Sequence, residues 1–218
     1  MKPEEIKVVL SNFIAHLDRY IKLIEQGAAS TINIPNDLDL KQIFRIFLKR
    51  FRTNIYTLMV LEKDPLLFTL LQRYNHEMLL DFYFLSDPTD QAKKITQFAT
   101  YSGKLSLQKW GNYQTSDKRP SVPPWVGDKE SFRKVYKWLS NLAHPNILSI
   151  TLGVLDDGGQ RKNRIMTEAT ALCIFEISIC LDCKGFRDIF GLNGIQEDLY
   201  LANLGFQNTA GAMLISDK

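Results

Sequence analysis

The sequence predicts an all-α fold, a bundle of five to six helices in a single domain with one long Pro- and Trp-containing loop. Three observations carry that prediction. Apolar residues recur at spacings of three and four along several long segments, the period of a helix with a buried face. Two segments, Leu66–Leu85 and Lys162–Asp182, are apolar on almost every side, which calls for burial among several neighbours. Little of the chain reads as strand. The β-branched connector Ala28–Asn36 suits an extended path, and Asn146–Gly159 suits a short helix or a strand.

The first helix is expected over Pro3–Gln26, with Ile6, Val9, Leu10, Phe13, Leu17, Tyr20, Ile21 and Ile24 as its inner stripe and Gly27 as its stop. His16 lies beside that stripe as a structural or surface histidine. The second helix starts near Asp37 or Asp39 and runs to Glu62, burying Phe44, Phe47, Leu48, Phe51, Ile55 and Leu58. Lys41, Arg45, Lys49 and Arg52 align as a basic stripe beside that face, either a solvated edge or a phosphate contact. Leu66–Leu85 follows, bounded by Asp64-Pro65 and Ser86-Asp87-Pro88. A shorter helix over Pro88–Gly103 places Ile95, Phe98, Ala99 and Ser102 inward, with Asp87 or Thr89 as cap.

Residues 104–129 hold too many prolines and glycines for a helix, and Trp110, Tyr113 and Trp125 would pack that loop onto the bundle or offer stacking surfaces. A helix from Asp128 or Ser131 to about Ala143 must end before Pro145. Lys162–Asp182 is the last long helix, stopped by Lys184-Gly185. Beyond it stand a short helix, Gly194–Leu204, and a weak C-terminus containing Gly205 and Gly211. The domain reading is therefore residues 1–218 as one unit, with its core over 37–184 and 185–218 as an appendage.

Composition narrows the function classes. The chain has 218 residues, of which 45% are hydrophobic and 23% charged, as in an ordinary globular domain. Its 27 Lys and Arg against 24 Asp and Glu leave +3, too small a balance to demand nucleic acid. MKPEEIKVVLSNF lacks the signal-peptide pattern and no apolar run is long enough to span a bilayer, so a cytoplasmic location and no membrane partner are expected. Cys173, Cys180 and Cys183 are too few for a disulfide framework and read as buried small hydrophobes. Cys180-x-x-Cys183 lacks the second ligand pair of a zinc site. No phosphate-binding glycine loop, GxSxG or HExxH is present, and no metal or cofactor is expected.

The strongest constellation has two halves. Arg73, His76, Glu77 and Asp81 fall in one arc of the otherwise apolar Leu66–Leu85 helix, and buried charge needs partners. On the helix before Pro145, Arg133, Tyr136, Lys137, Ser140 and His144 share a side. Packing these two faces together would satisfy the arc, with Glu77 near His144. It would serve either as a structural network or as a site where His144 moves a proton and Arg73, Arg133 or Lys137 holds phosphate charge.

RYNHEMLLDFYFLSDP followed by YKWLSNLAHPN resembles the HEPN-like, abortive-infection-related helical proteins. Arg73 and Glu77 match one element of their pattern. Tyr136, Ser140, His144 and Pro145 match the other, over residues 40–182. The resemblance implies a helical, usually dimeric protein that cleaves RNA without a metal in defence or toxin systems. It assigns Arg73, Glu77, His144 and Lys137 to catalysis, and Arg133, Tyr136, Ser140 and His76 to substrate binding. The family's usual arginine, four to six residues before the histidine, is replaced here by Lys137, Trp138 or Leu139. Two other functions fit the same residues: a non-catalytic interaction module that partners a toxin or effector, and a small-molecule-binding bundle lined by Arg73, His144 and the loop tryptophans. Expected partners are RNA, a second copy, or another protein.

Overall fold

The computed structural model describes residues 2–26, 39–60, 65–99, 160–192 and 197–215, with positions 130, 133, 134 and 137. All its regular structure is helical, and no strand occurs among the described residues. The elements are α1 (Pro3–Glu25), α2 (Leu40–Val60), α3 (Pro65–Ser86), α4 (residues 91–99), α5 (Gln160–Asp182), α6 (Lys184–Ile189) and α7 (Glu197–Ile215). Positions 130, 133, 134 and 137 are also helical. The expectations for Ala28–Asn36, 104–129 and Asn146–Gly159 lie outside the described residues.

Helix α1 begins with proline in its first turn, where a missing N–H costs nothing. Glu5 accepts the Lys2 backbone N–H at 2.8 Å. Its inner stripe is buried as the periodicity requires, with only Val9 partly open. Helix α2 runs antiparallel to it. Arg52 donates to Asp18 at 2.8 and 3.2 Å near one end, and Arg45 donates to the Ile24 carbonyl at 3.1 Å near the other. Helix α3 is in turn antiparallel to α2, since Asn54 meets Asn75 and Phe47 meets Phe82.

Helix α5 is the hub, touching α1, α3, α6 and α7. Small side chains make this possible: Ala169, Thr170, Ala171 and Cys173 are fully buried and let neighbouring backbones approach. It runs parallel to α3, with Cys173 opposite Asn75 and Cys180 opposite Leu79. Phe44, Phe47, Phe51, Phe82 and Phe186 form the centre of the core, with ring centroids 4.7 to 6.2 Å apart for neighbouring pairs. Each such ring contributes about 2–3 kcal/mol through burial.

Three sequence expectations are corrected. Helices α3 and α5 are not buried all round: Leu67, Leu70, Tyr74 and Tyr83 on α3, and Phe175 and Ile179 on α5, are exposed. Helix α5 ends at Asp182 as expected, but Lys184-Gly185 does not end helical structure: after a break at Cys183 these residues open α6. Gly185 is there because a Cβ would lie 1.6 Å from the Ser86 carbonyl oxygen of α3. The C-terminal segment is no weak tail either. Glu197–Ile215 is one helix of 19 residues that buries Leu199, Asn203, Ala210 and Met213.

In α4, Ile95 and Phe98 pack on the core as expected, whereas Ala99 is exposed. Asp87 rather than Thr89 organises its entry, accepting the Thr89 N–H at 3.0 Å and pairing with Lys94 at 2.5 Å. Those contacts hold the Asp87 carboxyl down at about 2.

Candidate functional site

One member of the polar arc of α3, His76, has a partner on α5. His76 is buried, and its Nδ1 lies 2.5 Å from Glu176 Oε1. Nδ1–H donates to this carboxylate. Gln72, also buried, donates from Nε2 to Glu176 Oε2 at 3.4 Å. One carboxylate on an apolar helix therefore receives two donors from α3.

A second ladder runs beside it. Asn54 of α2 donates to Asn75 Oδ1 at 2.6 Å, and Asn75 donates to Cys173 Sγ at 3.5 Å. These groups bind three helices through polar contacts inside a core, where an unmet donor costs more than a met one contributes. Burial pushes the Cys173 thiol far up, so it is an inert neutral acceptor there.

Arg73 and Glu77 stand at the rim of this network. Arg73 Nε lies 3.6 Å from Glu77 Oε1, and both side chains are part-exposed. Arg133 and Lys137 are exposed, and no contact among the described residues joins them to α3. Tyr136, Ser140 and His144 lie outside the described residues, as do Trp110, Tyr113 and Trp125. The structure thus brings together Arg73, His76 and Glu77. It adds Gln72, Glu176, Asn54 and Asn75, which the sequence reading did not assign to the site. Glu176 was the available signal: a lone carboxylate interrupting the apolar run of α5.

Three members of the basic stripe of α2 make contacts with α1. Arg45 donates to the Ile24 carbonyl and lies over the Phe190 ring, Lys49 pairs with Glu25 at 2.5 Å, and Arg52 pairs with Asp18. Their long side chains lie along the edge of the core while Lys49 and Arg52 stay partly exposed.

A further polar cluster joins α1, α5 and α7. His16, buried against Phe13, Tyr20 and Phe206, bonds through Nε2 to Asn203 Oδ1 at 3.1 Å. Asn203 uses its own N–H on the Ser178 carbonyl at 2.7 Å, so its oxygen must accept and His16 Nε2 must carry the proton. Gln207 donates to Asp182 at 2.6 Å. Burial lowers the His16 pKa and raises that of Asp182.

Among the described residues, no group of three or more His, Cys, Asp or Glu side chains could hold a metal ion. No helix there is long and apolar enough to cross a membrane. Comparison with family models, with curated proteins and with solved structures returns no match. The all-α bundle defines the class to which the chain can be assigned.

Proposed function

We propose that the chain is a non-catalytic helical interaction module that associates with a second copy of itself. The outward stripe of α5 carries this reading. The hub helix gives Cys173, Glu176 and Cys180 to α3, and Ser178 and Asp182 to α7. Between those two contacts it leaves Leu172, Phe175 and Ile179, the latter two 36% and 39% exposed. Tyr83, one turn beyond Leu79 on α3, is also exposed, at 61%. Aromatic and aliphatic side chains collected on one face suit a self-complementary contact.

The test is sedimentation velocity across a micromolar concentration series. Wild type is expected to dimerise, and Phe175→Glu with Ile179→Glu is expected to remain monomeric with unchanged helical circular dichroism. A wild type that stays monomeric throughout the series rejects the reading.

A second reading, metal-independent cleavage of RNA, is favoured by one observation: His76 is held by a carboxylate, with Arg73 one turn away on the same helix. That pairing supplies a positioned imidazole and a cation for phosphate, and the HEPN resemblance of Arg73, Glu77, Tyr136, Ser140 and His144 supports it. Wild type, His144→Ala and His76→Ala are incubated with a mixed RNA pool. Loss of cleavage in either variant supports the role of that histidine. Digestion patterns identical to wild type would exclude both histidines, and no digestion by wild type excludes cleavage.

A further inference from the structure

We propose that Cys180 and Cys183 form a peroxide-responsive dithiol at the junction of α5 and α6, with Cys183 as the attacking thiol and Cys180 as the resolving one. The inference is independent of whether the module dimerises. Cys180 closes the last turn of α5, and Cys183 is the non-helical residue between α5 and α6. Its backbone N–H bonds to the Cys180 carbonyl at 3.1 Å, a tight turn that keeps the two residues within the span a disulfide can bridge. Each thiol donates to a backbone carbonyl, Cys180 to Leu79 at 3.8 Å and Cys183 to Ile179 at 3.6 Å.

Their surroundings differ in a way that assigns the roles. Cys183 is part-exposed, while Cys180 is buried and points at the Leu79 carbonyl of α3, 3.8 Å away. The neighbouring Cys180 thiol lowers the pKa of Cys183. The Cys183 thiol, and then burial, raise that of Cys180. An accessible thiol with thiolate character beside a protonated partner is the arrangement in which one sulfur is oxidised and the other condenses with it.

The chemistry balances with a hydroperoxide as oxidant. The Cys183 thiolate attacks one peroxide oxygen, the O–O bond breaks, and Cys183 becomes a sulfenic acid. The other oxygen leaves as alkoxide or hydroxide and takes a proton. The Cys180 sulfur then attacks the sulfenic sulfur, forming the S–S bond. Its thiol proton and the departing hydroxyl leave as water. The two thiols lose two electrons and the peroxide gains them. The disulfide removes the Cys180 sulfur from the Leu79 carbonyl and ties the end of α5 to the start of α6, the helix that holds Phe186 against Tyr20, Phe44 and Phe82.

The test uses the full-length reduced protein, titrated with hydrogen peroxide, quenched with an alkylating reagent under denaturing conditions and mapped by peptide mass spectrometry. The expected product is a Cys180–Cys183 disulfide with Cys173 still reduced. In Cys180→Ser, Cys183 is expected to stop at a sulfenic acid that dimedone traps. In unoxidised, folded wild type, Cys183 should alkylate about ten-fold or more faster than Cys173, a measurement that depends on no variant. Oxidation of Cys173 as readily as the pair, or both members of the pair remaining free thiols at peroxide levels that oxidise a cysteine peptide, overturns the proposal.

Discussion

Replacing Glu176 with alanine removes the one acceptor that both the His76 Nδ1–H and the Gln72 amide use. Since both donors are buried, the variant should lose about 2 kcal/mol in urea unfolding, whereas an exposed carboxylate removed elsewhere should cost well under 1 kcal/mol. A Glu176→Ala variant as stable as wild type would show that the network does not hold α3 to α5. His16 makes a pH-dependent contribution of definite sign. Its folded pKa lies below the ordinary 6.5, because burial opposes the imidazolium and the Asn203 bond only partly offsets this. The unfolded chain therefore takes up this proton first. Stability from His16 is complete above 6.5 and declines as pH falls from there through the lowered folded value. Asp182 acts with the opposite sign: its raised carboxyl gives stability below the usual 3.8 that is lost as pH rises through the folded value. Comparing urea midpoints of wild type and His16→Gln at about pH 7.5 and about pH 5.5 isolates the histidine, and the variant should lose less on acidification.

Single elements respond to glycine substitution in opposite directions. Gly185→Ala places a methyl 1.6 Å from the Ser86 carbonyl oxygen, a backbone atom that cannot swing away. The start of α6 must then lift off α3, with an expected loss of about 3 kcal/mol or more. Gly205 and Gly211 lie inside α7, where an added Cβ meets nothing within 4 Å. Alanine at either should raise stability by about 0.5–1 kcal/mol, because glycine loses more backbone freedom on becoming helical. Thermal midpoints of the three variants should therefore fall on both sides of wild type. Between α1 and α2, the Arg52–Asp18 pair is fork-shaped but about half exposed. A double-mutant cycle should give a coupling of no more than about 1 kcal/mol, shrinking as salt is added.

Viewed as a whole molecule, the helical class and the inner faces of α1 and α2 were legible because their stripes are regular. Ile6 to Ile24 and Phe44 to Leu58 keep one buried side, and a repeating pattern names its own core. Helices α3 and α5 were harder. A chain apolar all round shows that it is central without showing which side meets which neighbour, so the pairing of His76 with Glu176 was not read from the sequence. Asn54 and Asn75 left no trace in the sequence, since an uncharged amide inside a helix looks the same whether it faces solvent or another amide. The length of α7 was hidden by Gly205 and Gly211, whose low helical preference is overridden by packing on α5.

The parallel placement of α3 and α5 sets the order in which the chain can assemble. Hydrogen bonds between α1 and α2 and between Asn54 and Asn75 of α2 and α3 join residues 21 to 34 apart, but those between α3 and α5 join residues 98 to 104 apart. Closing the longer loop is entropically dearer, so the α1–α2–α3 hairpins should form the folding nucleus and α5 should dock after the rate-limiting step. In stopped-flow chevrons, Phe51→Ala should slow refolding, whereas Ile177→Ala should mainly accelerate unfolding. The helix most central to the finished core would then be among the last to enter it.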